Sequence, residues 1–151
     1  MKHIFMTIAM GKMSMSTEET RAAGMLNPSD QVTLNRDYLI EDAKQTVLGL
    51  ARAGYTTPRK RTFRLPGESG YATLRSTLQM MKEAHQISEH DVKVGSKLAW
   101  VLCGGRTSPT VRVTEQHVLD LEREAFLSLC GEAKTQERMQ YMLMNNKPLR
   151  N

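Results

Sequence analysis

Features that would assign a chemistry are scarce in this chain. Only two cysteines occur among 151 residues. Cys103 and Cys130 lack the x-x spacing of a zinc site or redox dithiol, which excludes both. Each closes an apolar run directly before a glycine. Both are therefore expected as buried, reduced core residues, consistent with a cytoplasmic protein. Aromatic residues make up 5%. No alternation of aromatic and basic residues and no RNA-binding signature is present, which argues against a nucleic-acid surface. No run reaches the roughly 18 apolar residues of a membrane-spanning helix. A Gly-x-Ser-x-Gly nucleophile turn is missing. His3, His85, His90 and His117 are the only histidines; none is four residues from another, and no carboxylate spacing completes a metal set. His90 and His117 follow helix caps by two and three residues and are expected at a surface or interface.

What the chain does have is positive charge and helical periodicity. The formal net charge is +5 and the pI about 9.4, a balance that attracts phosphorylated ligands or anionic surfaces as readily as nucleic acid. The charge concentrates in Arg59-Lys60-Arg61-Thr62-Phe63-Arg64, between Pro58 and Pro66. Proline disfavours helix at the residue before it, so this segment is expected to be extended and exposed. Glu115, Asp120, Glu122 and Glu124 spread around a helix as a solvated face, not a matched acid–base pair. Eleven methionines include Met10, Met13 and Met15 near the start and Met139, Met142 and Met144 near the end. They suit either ordinary core filling or packing against another domain or subunit.

At 151 residues and 17.1 kDa the expectation is a single domain able to bury a real core. Met1–Met10 has a basic start and a short apolar middle, followed by Gly11-Lys12-Met13, a poor cleavage context; it reads as a first helix rather than a signal peptide. Ser16-Thr17-Glu18-Glu19 reads as a capping box opening a short helix that stops at Gly24. An amphipathic helix is predicted over 35–53, with Leu39, Ala43, Val47 and Leu50 on one face and Gly54 as its stop. A second covers 67–86 with Tyr71, Leu74, Leu78 and Met81 inward. A third, 88–103, is capped by Ser88-Glu89-His90-Asp91, carries Val94, Leu98, Val101 and Leu102, and ends at Gly104-Gly105. That glycine pair follows a helix, so it reads as a stop and not a phosphate loop. A fourth, 114–130, is capped by Thr114 and lined by Val118, Leu121, Ala125 and Leu129. A fifth, 133–145, buries Met139, Met142 and Leu143. No alternating strands are predicted. The fold class is all-α, with five to six amphipathic helices.

The closing thirty residues, with Leu121-Glu122-Arg123-Glu124-Ala125-Phe126 and Gln136-Glu137-Arg138-Met139, resemble the C-terminal end of the enoyl-CoA hydratase (crotonase) superfamily. Asn35-Arg36-Asp37, Leu65-Pro66-Gly67, Ile87-Ser88-Glu89-His90-Asp91, Lys97-Leu98-Ala99-Trp100-Val101-Leu102 and Lys134-Thr135-Gln136-Glu137-Arg138 are similar to one branch. That branch is the bacterial 3-hydroxyacyl-CoA dehydrogenases fused to an enoyl-CoA hydratase-like domain, enzymes of fatty-acid β-oxidation. The resemblance implies a division into residues 1–54, the end of a crotonase-like core region, a basic connector at 55–66, and a C-terminal helical extension at 67–151. In that family the oxyanion-hole amides, the catalytic glutamates and the Gly-x-Gly-x-x-Gly nucleotide loop lie upstream of such a helical tail. Nothing in this chain corresponds to them.

The resemblance therefore implies no catalytic residues here, no metal and no cofactor bound by this chain, although CoA thioester and NAD belong to the parent enzyme. Family tails form trimer contacts or fold over a neighbouring active site, where terminal basic and aromatic residues touch CoA. The family phenylalanine position falls at Met142, and the usual Lys-Arg pair at Asn145-Asn146. Lys147 and Pro148 keep the pattern, leaving Lys147 and Arg150 as the terminal CoA candidates. The expected function is a packing and oligomerisation module partnered by catalytic domains or a neighbouring subunit. The alternatives are a stand-alone helical adaptor pairing with a separate catalytic subunit, and a basic helical nucleic-acid binder.

Overall fold

In the computed structural model, which describes all 151 residues, these periodicities become seven α-helices: α1 (Lys2–Ala9), α2 (Thr17–Ala22), α3 (Leu39–Arg52), α4 (Gly67–Glu83), α5 (Glu89–Cys103), α6 (Glu115–Cys130) and α7 (Ala133–Asn145). The molecule is all-α, 61% helical. Its only sheet is an antiparallel pair, β1 (Thr62–Arg64) with β2 (Arg112–Thr114), in the register Thr62↔Thr114, Phe63↔Val113, Arg64↔Arg112. This pair corrects the expectation of no strands. Each strand has three residues, too few to show an alternating pattern. Side-chain bonds from Arg112 Nε to Thr62 Oγ1 (2.6 Å) and from Arg112 to the Thr62 carbonyl (3.0 Å) help fasten it.

The chain divides into two compact units, Met1–Gly11 with Lys60–Asn151, and Lys12–Arg59. In the first, α4 and α5 form the principal helix pair, α1 and α6 lie against α5, and α7 lies against α6. Phe5, Leu74, Leu78, Ala99 and Cys103 make the buried centre, with Tyr71, Ile87, Val92, Leu98 and Leu102 packed around it. Gly95 permits the close α4–α5 approach: a Cβ there would sit 2.8 and 3.0 Å from the Leu78 methyls. Gly67 is fixed for two reasons, a φ of +63° and a neighbouring Thr107 carbonyl that a Cβ would strike.

The caps act as the sequence predicts. Asp91 N donates to Ser88 Oγ (3.1 Å) and Ser88 N donates to Asp91 Oδ2 (2.9 Å), closing a reciprocal box at the start of α5. Thr114 Oγ1 accepts from His117 N at α6. Gly104 and Gly105, with φ of +82° and +68°, stop α5.

In Lys12–Arg59, Ser16 Oγ accepts from Glu19 N, while the Glu19 carboxylate reaches back to Met15 N (2.7 Å), one residue before the position a capping box uses. Asn35 caps a 3-10 turn, Arg36–Tyr38, that leads into α3. Thr46 Oγ1 donates to Gln31 Oε1 and Thr33 Oγ1 to Asp42 Oδ2, so hydrogen bonds link residues 31–33 to α3. No residue of this unit is buried.

One expected stripe holds, and one expectation is corrected. The α3 face of Leu39, Ala43, Val47 and Leu50 is amphipathic as read, but it lies open. Met139, Met142 and Leu143 of α7 are exposed instead of buried, Leu143 at 87%. Periodicity identifies the apolar stripe of a helix, but not whether an element of the same unit covers it.

Candidate functional site

In the first unit, α4 supplies Tyr71 and Arg75, α5 supplies His90, Lys93, Lys97 and Trp100, and α7 begins at Ala133 and Lys134; together they bound an open groove of about 970 Å³. Tyr71 and Trp100 meet edge to face, with ring centroids 5.2 Å apart. Arg75 stacks its guanidinium 5.9 Å from the Tyr71 ring centre. Lys93 forms an ion pair with Glu132, and this bond is the chief reason Glu132 titrates below the usual carboxylate range. Arg75, Lys97 and Lys134 have no carboxylate partner. The groove therefore sets these cations, and the carboxylates Glu89, Glu124 and Glu132, beside an aromatic wall.

His90 lies in this groove's lining and is only 4% exposed, which corrects the surface half of its expected surface-or-interface position. Its Nε2 is 2.9 Å from Thr135 Oγ1 on α7. Burial first, and then the Arg138 and Lys134 charges, depress its pKa, so the ring is held toward the neutral form. His117 is half-buried, and its Nε2 donates to the Gly104 carbonyl (3.0 Å), tying α6 to the end of α5. Both histidines are structural ties between helices.

Arg138, which sequence reasoning quotes only as part of a pattern, gathers the most polar contacts. It donates from Nη1 to Asp91 Oδ1 (2.7 Å), from Nε to Asn151 Oδ1 (2.8 Å) and from Nη2 to the Asn151 carbonyl (3.2 Å) and Ser88 Oγ (3.3 Å). Asn151 Nδ2 in turn donates to Glu137 Oε2 (2.7 Å). The α5 cap, α7 and the last residue are thus joined in one network. Burial alone would raise the Asp91 pKa, but the Ser88 and Arg138 hydrogen bonds outweigh it and hold the pKa low. A signal was present in the sequence: an Arg and a cap Asp are both strong hydrogen-bonding partners. Their 47-residue separation hid the pairing.

Of the terminal candidates, Lys147 and Arg150 are both exposed and make no ion pair within the chain. They follow Asn146, whose left-handed φ of +50° ends α7. The structure does not bring them into the groove lining. Arg59–Arg64 is exposed and extended, as expected. Cys103 is fully buried, and burial raises its thiol pKa; Cys130 is half-buried. No group of three or more His, Cys, Asp or Glu side chains is placed to hold a metal ion. No helix is long and apolar enough to cross a membrane.

The chain is 48% identical over 147 residues to a probable 3-hydroxyacyl-CoA dehydrogenase of Bacillus subtilis. The match covers 97% of this chain but only 19% of that relative. No protein-family model matches the chain, and no solved structure does.

Proposed function

We propose that this chain is the C-terminal helical part of a 3-hydroxyacyl-CoA dehydrogenase joined to an enoyl-CoA hydratase of the crotonase superfamily. In this reading it serves a fatty-acid β-oxidation enzyme as a packing and oligomerisation module without catalytic residues of its own. One observation carries the reading: nearly the whole chain matches a dehydrogenase of which it amounts to 19%. Residues 1–54, 55–66 and 67–151 are then the end of the core region, a basic connector and the helical extension. NAD and the CoA thioester are handled by the rest of the enzyme, with Lys147 and Arg150 free to reach CoA phosphates. The exposed apolar residues of α6 and α7, Leu119, Phe126, Leu127 and Met142, supply the association face.

The test has two arms. The isolated chain is expected neither to hydrate a short enoyl-CoA nor to oxidise a 3-hydroxyacyl-CoA with NAD; turnover by highly purified chain overturns the assignment of catalysis to other domains. Light scattering across a dilution series should show self-association that Phe126→Asp and Met142→Asp weaken. A clean monomer at every concentration removes the oligomerisation role.

A further inference from the structure

The apolar stripe of α3 has no partner within its own unit, Lys12–Arg59. Leu39, Val47 and Leu50 follow one side of the helix, and Ile40 widens it; their exposures run from 48% to 83%. An amphipathic helix gains most of its stability by burying such a stripe. Isolated helices below about 12–15 residues are marginal in water, and α3 has 14. The surrounding unit cannot help, because residues 12–59 contain no buried side chain at all. Ordering a backbone costs roughly 1–2 kcal/mol per residue, which this unit has no core to offset.

We infer that Lys12–Arg59 orders on a partner, and that α3 docks by its Leu39–Val47–Leu50 stripe onto an apolar face of the catalytic polypeptide. This rests on the function proposed above. The occupant follows from chain length: the matched relative carries the equivalent of this segment within a chain about five times longer. That extra length is the polypeptide available to cover the stripe. The unit built on Phe5, Leu74 and Cys103 folds by itself, whereas α3 stays loose until it docks. The consequence is a module with a fixed half and a half that folds on docking.

The experiment replaces the matching segment of the Bacillus subtilis relative with this whole chain. Amide exchange on α3 is then compared between the full-length chimera and the free chain. In the free chain, α3 amides should exchange almost unprotected while α4 and α5 are slow. In the chimera, α3 protection should rise on the order of 100-fold, and Val47→Asp with Leu50→Asp should erase that rise without loosening α4 or α5. A chimera that oxidises a 3-hydroxyacyl-CoA while α3 stays unprotected overturns the docking and leaves the functional reading intact. Protection of α3 in the free chain, constant on dilution or growing with concentration, also overturns it, because this chain then covers its own stripe. A chimera that is inactive where the parent relative is active removes the functional reading, and the docking with it.

Discussion

His90 carries a pH dependence whose sign follows from its surroundings. Its folded pKa lies below the ordinary 6.5 because burial and the Arg138 charge oppose protonation. The unfolded chain therefore binds more protons as pH drops below about 6.5, and stability is lost between that value and the folded pKa. Asp91 acts lower on the scale: its folded pKa is below the ordinary 3.8, so its contribution is present above that value and lost as pH falls through the folded one. Between pH 7.5 and 5, His90 is thus the dominant of the two. Urea midpoints should fall over this window in the parent chain and fall less in His90→Gln. An equal fall in both would refute this role of His90.

At the scale of elements, α7 depends on Arg138. The Arg138–Asp91 pair is partly buried, with 21% and 23% of its side chains exposed, so it lies between a weak surface ion pair and a costly buried one. Removing one partner of a charge-assisted bond network costs about 2 kcal/mol. Arg138→Ala should lower stability by that order and speed amide exchange in α7 and at the α5 cap, leaving α4 slow; unchanged α7 exchange would contradict the clamp. The helices themselves were legible. Predicted spans 88–103, 114–130 and 133–145 fall within a residue of α5, α6 and α7, because caps at Ser88 and Thr114 and stops at Gly104 and Gly131 are local signals. The β1–β2 pair and the burial of His90 were not legible. Thr62 meets Thr114 and His90 meets Thr135 only through tertiary placement, which no local spacing encodes. The candidate groove was illegible for the same reason, as its cations come from three separate helices.

For the whole molecule, Phe5 is the largest fully buried side chain, and it comes from the first helix, which packs against α5. Phe5→Ala should destabilise the Met1–Gly11/Lys60–Asn151 unit by roughly 3–5 kcal/mol, the usual cost of deleting a buried phenyl ring. Denaturant unfolding followed by Trp100 fluorescence would measure it, and a loss under about 1 kcal/mol would mean that α1 is dispensable. The same anchoring has a topological meaning. Residues 1–11 and 60–151 belong to one unit although residues 12–59 separate them in the chain, so that stretch is a closed loop held at both ends. Loop-closure entropy grows only logarithmically with length, so shortening the excursion would gain the fold little, and a single cut within it would yield two peptides that remain one particle for as long as Phe5 stays seated.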